Sequence, residues 1–219
     1  MSPGTETPRK NVTLVLGGAQ SGKSHYARQL ASHFESVTFI ATARRTDAEM
    51  RKKIAQHRRE RPIAWRTIEA PLDLHKTIRS ESRKADVILV DCLTVYVANV
   101  MRARKKSKRY PKEYIEAVCD AIRASEAAVV AVSNEVGSGV VPAYRSGRIY
   151  RDFLGQMNQK IAQIAGTVIL MVAGVPVILK DSGISQHEGD ASLAGSATNR
   201  SGESTNGVRK RHSSDGLNS

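Results

Sequence analysis

Two cysteines among 219 residues leave little room for disulfide or thiolate–metal chemistry. Cys92 and Cys119 fall inside apolar segments and form no C-x-x-C pair. That excludes a disulfide framework or a cysteine-ligated zinc site, and predicts buried thiols in a reducing cytoplasm. Aromatic residues make up only 5% of the chain. No apolar run approaches the roughly 20 residues that span a bilayer. Met1–Lys10 is polar, carries two prolines and lacks the apolar core of a secretory signal. Acidic residues are in deficit, 21 against 34 Lys and Arg, for a net charge of +13. The excess is local. Residues 44–66 hold nine Lys/Arg and three acids, and residues 102–112 hold seven Lys/Arg and no acid. Such stretches attract nucleic acid, a triphosphate or an anionic small substrate. Trp65 and Tyr110 are their only aromatics. The sequence therefore favours a small phosphorylated ligand, and no nucleic-acid partner is expected.

What is present is concentrated in Gly17-Gly18-Ala19-Gln20-Ser21-Gly22-Lys23-Ser24, which fits the phosphate-loop pattern G-x-x-x-x-G-K-S/T. Val12–Leu16 before it reads as a buried strand and Ser24–Leu30 after it as a helix, the context this loop requires. Glycines let successive N–H groups turn toward one anion, and the new helix adds its positive end. Lys23 reaches the β- and γ-phosphates and the Ser24 hydroxyl is placed for Mg²⁺. A nucleoside triphosphate is the expected ligand.

Strand and helix patterns alternate, so the expected fold is α/β, a mostly parallel sheet with helices on both faces. Strands are expected at 12–16, 37–41, 64–69, 87–91, 128–133 and 167–173, with 176–180 as an edge. Helices are expected from the phosphate loop to about His33, from an Asp47 cap to about Arg61, over 72–83, 94–104, 111–127 and 145–165. The last carries the apolar stripe Ile149, Phe153, Met157, Ile161 and Ile164. From Asp181 onward Ser, Gly, Asn and charged residues dominate, so 181–219 reads as a disordered tail and 1–10 as a loose leader around one domain, 11–180.

Asp91 ends the strand Val87–Asp91, where a carboxylate can hold Mg²⁺ or cap the helix that follows. His57 shares a helical face with Met50 and Ile54, and Arg58, Arg59 and Arg61 follow it at once. On spacing alone His57 reads as a histidine packed against the sheet. The guanidinium field adds a second reading, a neutral, nucleophilic imidazole among phosphates. Asn134–Gly139 follows a buried strand at the sheet edge where α/β folds place ligands, and is expected to line the ligand pocket. Arg148 and Arg151 face either phosphates or solvent.

These residues carry a family resemblance. The phosphate loop, Ile40-Ala41-Thr42-Ala43, Asp47–Met50, Ile54–Pro62, Trp65–Pro71, Val90–Thr94, Val132–Pro142, Gly147-Arg148 and Arg151–Gln159 stand in an order that resembles the bifunctional adenosylcobinamide kinase/adenosylcobinamide-phosphate guanylyltransferases of cobalamin assembly. The resemblance spans residues 12–180. It implies a RecA-like P-loop fold assembled as a homotrimer. It also implies two reactions: phosphorylation of adenosylcobinamide by ATP or GTP, then transfer of GMP from GTP to that phosphate through a GMP–histidine intermediate at His57. Thr42, Ala43, Arg58, Arg59, Glu60, Arg61, Glu69 and Asp91 match the family's nucleotide-contacting positions. Arg44-Arg45, the basic stretch 102–112 and the segment after Lys180 depart from the family pattern without removing a proposed site residue. Two narrower readings of the residues stand beside it: a single-function small-molecule kinase with a structural His57, and a nucleotide-dependent nucleic-acid adaptor using the two basic stretches.

Overall fold

Strands that carry Val, Ile, Leu and Ala without polar alternation must be covered on both faces, and Val87–Val90 and Ala128–Val132 are of this kind. The computed structural model describes residues 9–44, 59, 61–103 and 112–182. The helix expected from Asp47, with His57, Arg58 and Glu60, lies outside the described residues. So do the leader through Pro8, the basic loop 104–110 and the tail from Gly183. The order of described elements is β1 (Arg9–Gly17), α1 (Lys23–Ala31), β2 (Val37–Ala41), β3 (Arg66–Glu69), α2 (Leu74–Glu81), β4 (Val87–Asp91), α3 (Leu93–Ala103), α4 (Lys112–Ala124), β5 (Ala128–Asn134), α5 (Arg145–Ile164), β6 (Ala165–Val172) and β7 (Val175–Asp181).

Seven strands form one sheet in the order β3-β2-β4-β5-β1-β6-β7. All neighbours are parallel except β6 and β7, which form an antiparallel hairpin. The phosphate-loop strand β1 and the acidic strand β4 are not neighbours, because β5 stands between them. This is the mostly parallel, RecA-like P-loop arrangement that the sequence leads one to expect.

Alternation along each strand divides the core. Leu14 and Leu16 of β1, Ile88 and Val90 of β4, and Val129 and Ala131 of β5 face α2, α3, α4 and α5. Val15, Phe39, Val87, Leu89, Val130 and Val132 face α1 through Ala27 and Ala31. Burying each such side chain contributes roughly 1.5–3 kcal/mol before chain entropy is subtracted. The α5 stripe is buried at Phe153, Met157, Ile161 and Ile164, with Ile149 partly covered at its first turn. Glu81, at the end of α2, is buried as a carboxylate between Lys84 at 3.0 Å and Arg66 at 3.5 Å, which ties α2 to the edge strand β3.

The parallel register aligns the strand ends. Ala41 pairs with both Asp91 and Glu69, Asp91 with Val132, and Gly17 with Asn134. The carboxyl ends of β1 to β5 therefore meet at one edge, where open α/β sheets hold their ligands.

Candidate nucleotide site

β1 delivers the chain to this edge at Gly17, and the next residues must pass from strand to helix. A Cβ on Gly17 would press on the Ser21 hydroxyl and come within 2.8 Å of the Met171 carbonyl oxygen, so only glycine fits. Gln20 and Gly22 take left-handed backbone angles, φ 58° and 88°. Gly22 caps α1, whose first turn holds no acidic residue. The leading N–H groups of a helix lack intrahelical acceptors, so this end is a ready anion site. Gly18, Ala19 and Gln20 are exposed, whereas Ser21 is buried, its hydroxyl oxygen without a hydrogen-bond partner among the described residues. A phosphate oxygen would supply the acceptor that this hydroxyl lacks.

Lys23 donates from Nζ to the Gly18 carbonyl oxygen at 2.8 Å, folding the ammonium back over the loop. Burial holds its pKa below the ordinary lysine value of 10.5, and the Asp91 carboxylate opposes that shift through its negative charge. The Ser24 hydroxyl donates to Asp91 Oδ1 at 3.3 Å, across 67 positions of sequence. The two residues expected to hold Mg²⁺ are thus brought together at the mouth of the phosphate loop. One hydroxyl beside one carboxylate suits a small hard cation that completes its shell with phosphate oxygens and water. Among the described residues no three His, Cys, Asp or Glu side chains converge as a richer metal site.

Thr42 is fully buried at the tip of β2. Its hydroxyl donates to the Cys92 carbonyl oxygen at 2.7 Å and accepts from the Cys92 N–H at 3.0 Å, locking β2 to the end of β4. Ala43 is partly exposed beyond it, and Glu69 is exposed at the tip of β3. Arg59 is exposed, and Arg61 lays its guanidinium 3.6 Å from the centroid of Phe39, closing the α1 face of the core. Burial, with the Asp91 charge second, pushes the Cys92 thiol up to about 11, so it is protonated at neutral pH and is no nucleophile.

Several residues that build the edge stand outside the candidate site residues, and Thr94 and Asn158 enter the sequence reading only as members of longer blocks. Asn99 donates from Nδ2 to the Thr42 carbonyl oxygen at 2.8 Å and to that of Pro71 at 3.3 Å. Thr94 accepts the Asn134 N–H at 2.7 Å, Asn158 donates to the Asn134 carbonyl oxygen at 3.1 Å, and the Tyr150 hydroxyl donates to the Thr94 carbonyl oxygen at 3.2 Å. Asn99 has a local signal, a polar side chain between Val97 and Val100 on an otherwise apolar helix face. Arg148, a candidate phosphate contact, bonds the carbonyls of Pro142 and Ala143 at 3.0 and 2.7 Å, fastening the loop after β5 onto α5. Arg151 lies 4.0 Å from Asp152.

No helix among the described residues is long and apolar enough to cross a membrane. Residues 13–179 match the family described as cobinamide kinase / cobinamide phosphate guanyltransferase. The chain is 41% identical over 168 residues to the bifunctional adenosylcobalamin biosynthesis protein CobP of Pseudomonas aeruginosa, covering 76% of this chain and 96% of that one. It is 37% identical to the protein of the same description, CobU, from Escherichia coli K12, and 36% identical to that from Salmonella typhimurium, covering 76% of this chain and 98% of theirs in each case. With a phosphate loop, a carboxylate bonded to its serine and a match over most of its length, the chain belongs to the cobinamide kinase / cobinamide phosphate guanyltransferase family.

Proposed function

We propose that this chain phosphorylates adenosylcobinamide and then joins GMP to the product, giving adenosylcobinamide-GDP. The observation that carries the proposal is the meeting of Lys23, Ser24 and Asp91 beside the glycine-lined end of β1, in a chain of this family. In the kinase step the substrate hydroxyl attacks the γ-phosphorus of ATP or GTP. A new P–O bond forms, the bond to the β-phosphate oxygen breaks, and the nucleoside diphosphate leaves. The loop from Gly17 to Ser24 binds the phosphates through N–H groups, and Lys23 turns from Gly18 to the β- and γ-oxygens. Ser24 and Asp91 would hold Mg²⁺, which when bound offsets negative charge on those oxygens.

In the transferase step His57 attacks the α-phosphorus of GTP, and pyrophosphate leaves into the phosphate loop. An oxygen of adenosylcobinamide phosphate then displaces the imidazole. Splitting one displacement in two is ordinary covalent catalysis. Arg58, Arg59 and Arg61 supply positive charge where phosphorus oxygens gain negative charge. Glu60, Thr42, Ala43 and Glu69 complete the nucleotide-facing set. Both activities belong to residues 11–180, which enclose the family match at 13–179. A cytoplasmic location accords with Cys92 and Cys119 both remaining thiols. A homotrimer accords with the exposed apolar side chains of β7, which another subunit can cover.

Two labels test the proposal. With adenosylcobinamide and γ-labelled nucleotide, the chain should form a labelled phosphate ester. With α-labelled GTP and Mg²⁺, it should acquire acid-labile, alkali-stable label that H57A removes. Ester without protein label leaves the narrower kinase. Neither product from folded chain, with steeply salt-dependent binding to DNA or RNA, favours the adaptor.

A further inference from the structure

We propose that Asn134 is a substrate-contacting residue of the phosphoryl-transfer step, holding the transferring γ-phosphoryl group and the incoming hydroxyl in line. The inference rests on the kinase reading above. It starts from position. β5 runs between the phosphate-loop strand and the acidic strand, and Asn134 is its last residue, paired with Gly17 across the β1 side. The next amide, Glu135 N–H, donates to the Gly17 carbonyl oxygen at 3.1 Å. Val130 and Val132 point to the α1 face of the sheet, as do Val87 and Leu89 of β4. Alternation therefore brings Asn134 and Asp91 onto this same face, at the tips of adjacent strands beneath Lys23 and Ser24.

The backbone of Asn134 is held independently of its side chain. β4 ends at Asp91, opposite Val132, so it offers Asn134 no ladder partner. The Thr94 hydroxyl and the Asn158 carboxamide take the N–H and the carbonyl oxygen instead, at 2.7 and 3.1 Å. The side chain is thus not needed to close the strand end. Its Oδ1 is buried and has no hydrogen-bond partner among the described residues. A carboxamide acceptor shielded from water and left unpaired is costly to maintain, and its presence beside a phosphate loop calls for a donor brought in by a ligand.

The chemistry fits a carboxamide. Nδ2 donates to a non-bridging γ-oxygen while Oδ1 accepts from the attacking hydroxyl. Oxygen attacks phosphorus, the bond to the β-phosphate oxygen breaks, and the hydroxyl proton passes to an oxygen of the transferred phosphoryl group. Asn134 takes no proton. It sets the line of attack, and its amide donor stabilises charge on the moving group.

The test compares the full-length parent with N134A and N134D, measuring three quantities. These are steady-state phosphorylation of adenosylcobinamide, nucleotide KM, and self-labelling by α-labelled GTP. For N134A the expected result is a kinase kcat lower by about a hundredfold, as when one preorganised donor is removed. Nucleotide KM and self-labelling should stay within about threefold, because cradle and His57 are untouched. N134D keeps the shape but loses the donor and adds charge next to Asp91, so its kcat should fall at least as far. A purely structural role would instead be preserved by this isostere. If N134A does not fold cooperatively, N134D carries the test with the same expectation. A kinase kcat within threefold of the parent for either folded variant overturns the inference. So does a parallel loss of self-labelling. A parent with neither activity overturns the proposed function, and this inference with it.

Discussion

Lys23 shows how one side chain can be tuned by its place in the chain. Folded back onto the Gly18 carbonyl and half-buried, it has a pKa below 10.5 because burial disfavours its charged form. Phosphates favour the charged form, so nucleotide binding takes up a proton wherever the free lysine is neutral. The sign follows: affinity is full below the lowered pKa and falls as pH rises through it, short of 10.5. Titration of a fluorescent GTP analogue between neutral and alkaline pH should show this limb, and K23M should lack it while binding about ten- to a hundredfold more weakly at neutral pH. An unchanged alkaline limb in K23M would assign it to another group. At the same scale, Asp91 is marked in sequence as an acid ending an apolar strand. Its contact with Ser24 is not, since it depends on β5 standing between their two strands.

Elements were largely legible because their signals are local. Continuous apolar runs mark β2 and β4 to the residue, and the five-residue stripe marks α5. Every described end falls within three residues of its expected place. What the sequence hides is relational: strand order, the reversal of β7, and the polar side chains of Asn99, Thr94 and Asn158 that hold the tips of β2 and β5. These depend on partners 24 to 57 residues away, which no window of the chain contains. The turn between β6 and β7 is one such relation. Gly174 holds φ 86° and its N–H donates to the Ser21 carbonyl oxygen at 3.1 Å, while a Cβ on Gly22 would stand 3.3 Å from Gly174 Cα. G174A meets open space but an unfavourable φ and should cost about 1 kcal/mol in urea unfolding. G22A adds the contact to the same strain, so it should cost more and weaken GTP binding as well. Equal stability of the two variants would detach the hairpin from the loop.

At the scale of the whole molecule the two edges of the sheet differ. β3 is four residues long and mostly polar, a short edge that resists pairing. β7 is seven residues long and leaves Val175, Val177, Ile178 and Leu179 between 43% and 61% exposed. An edge strand that is apolar on both sides invites cover from another chain. Sedimentation tests the proposed trimer: the parent should form it, and a V177K/L179K double variant should shift to smaller species. A parent that sediments as a monomer at micromolar concentration removes the trimer from the proposal. The same hairpin has a further role through its tip. Because the Gly174 amide is tied to the Ser21 carbonyl, whatever stills the phosphate loop also stills the turn beyond it. Nucleotide held at the catalytic edge should then slow amide hydrogen exchange in the turn between β6 and β7, at the far margin of the sheet.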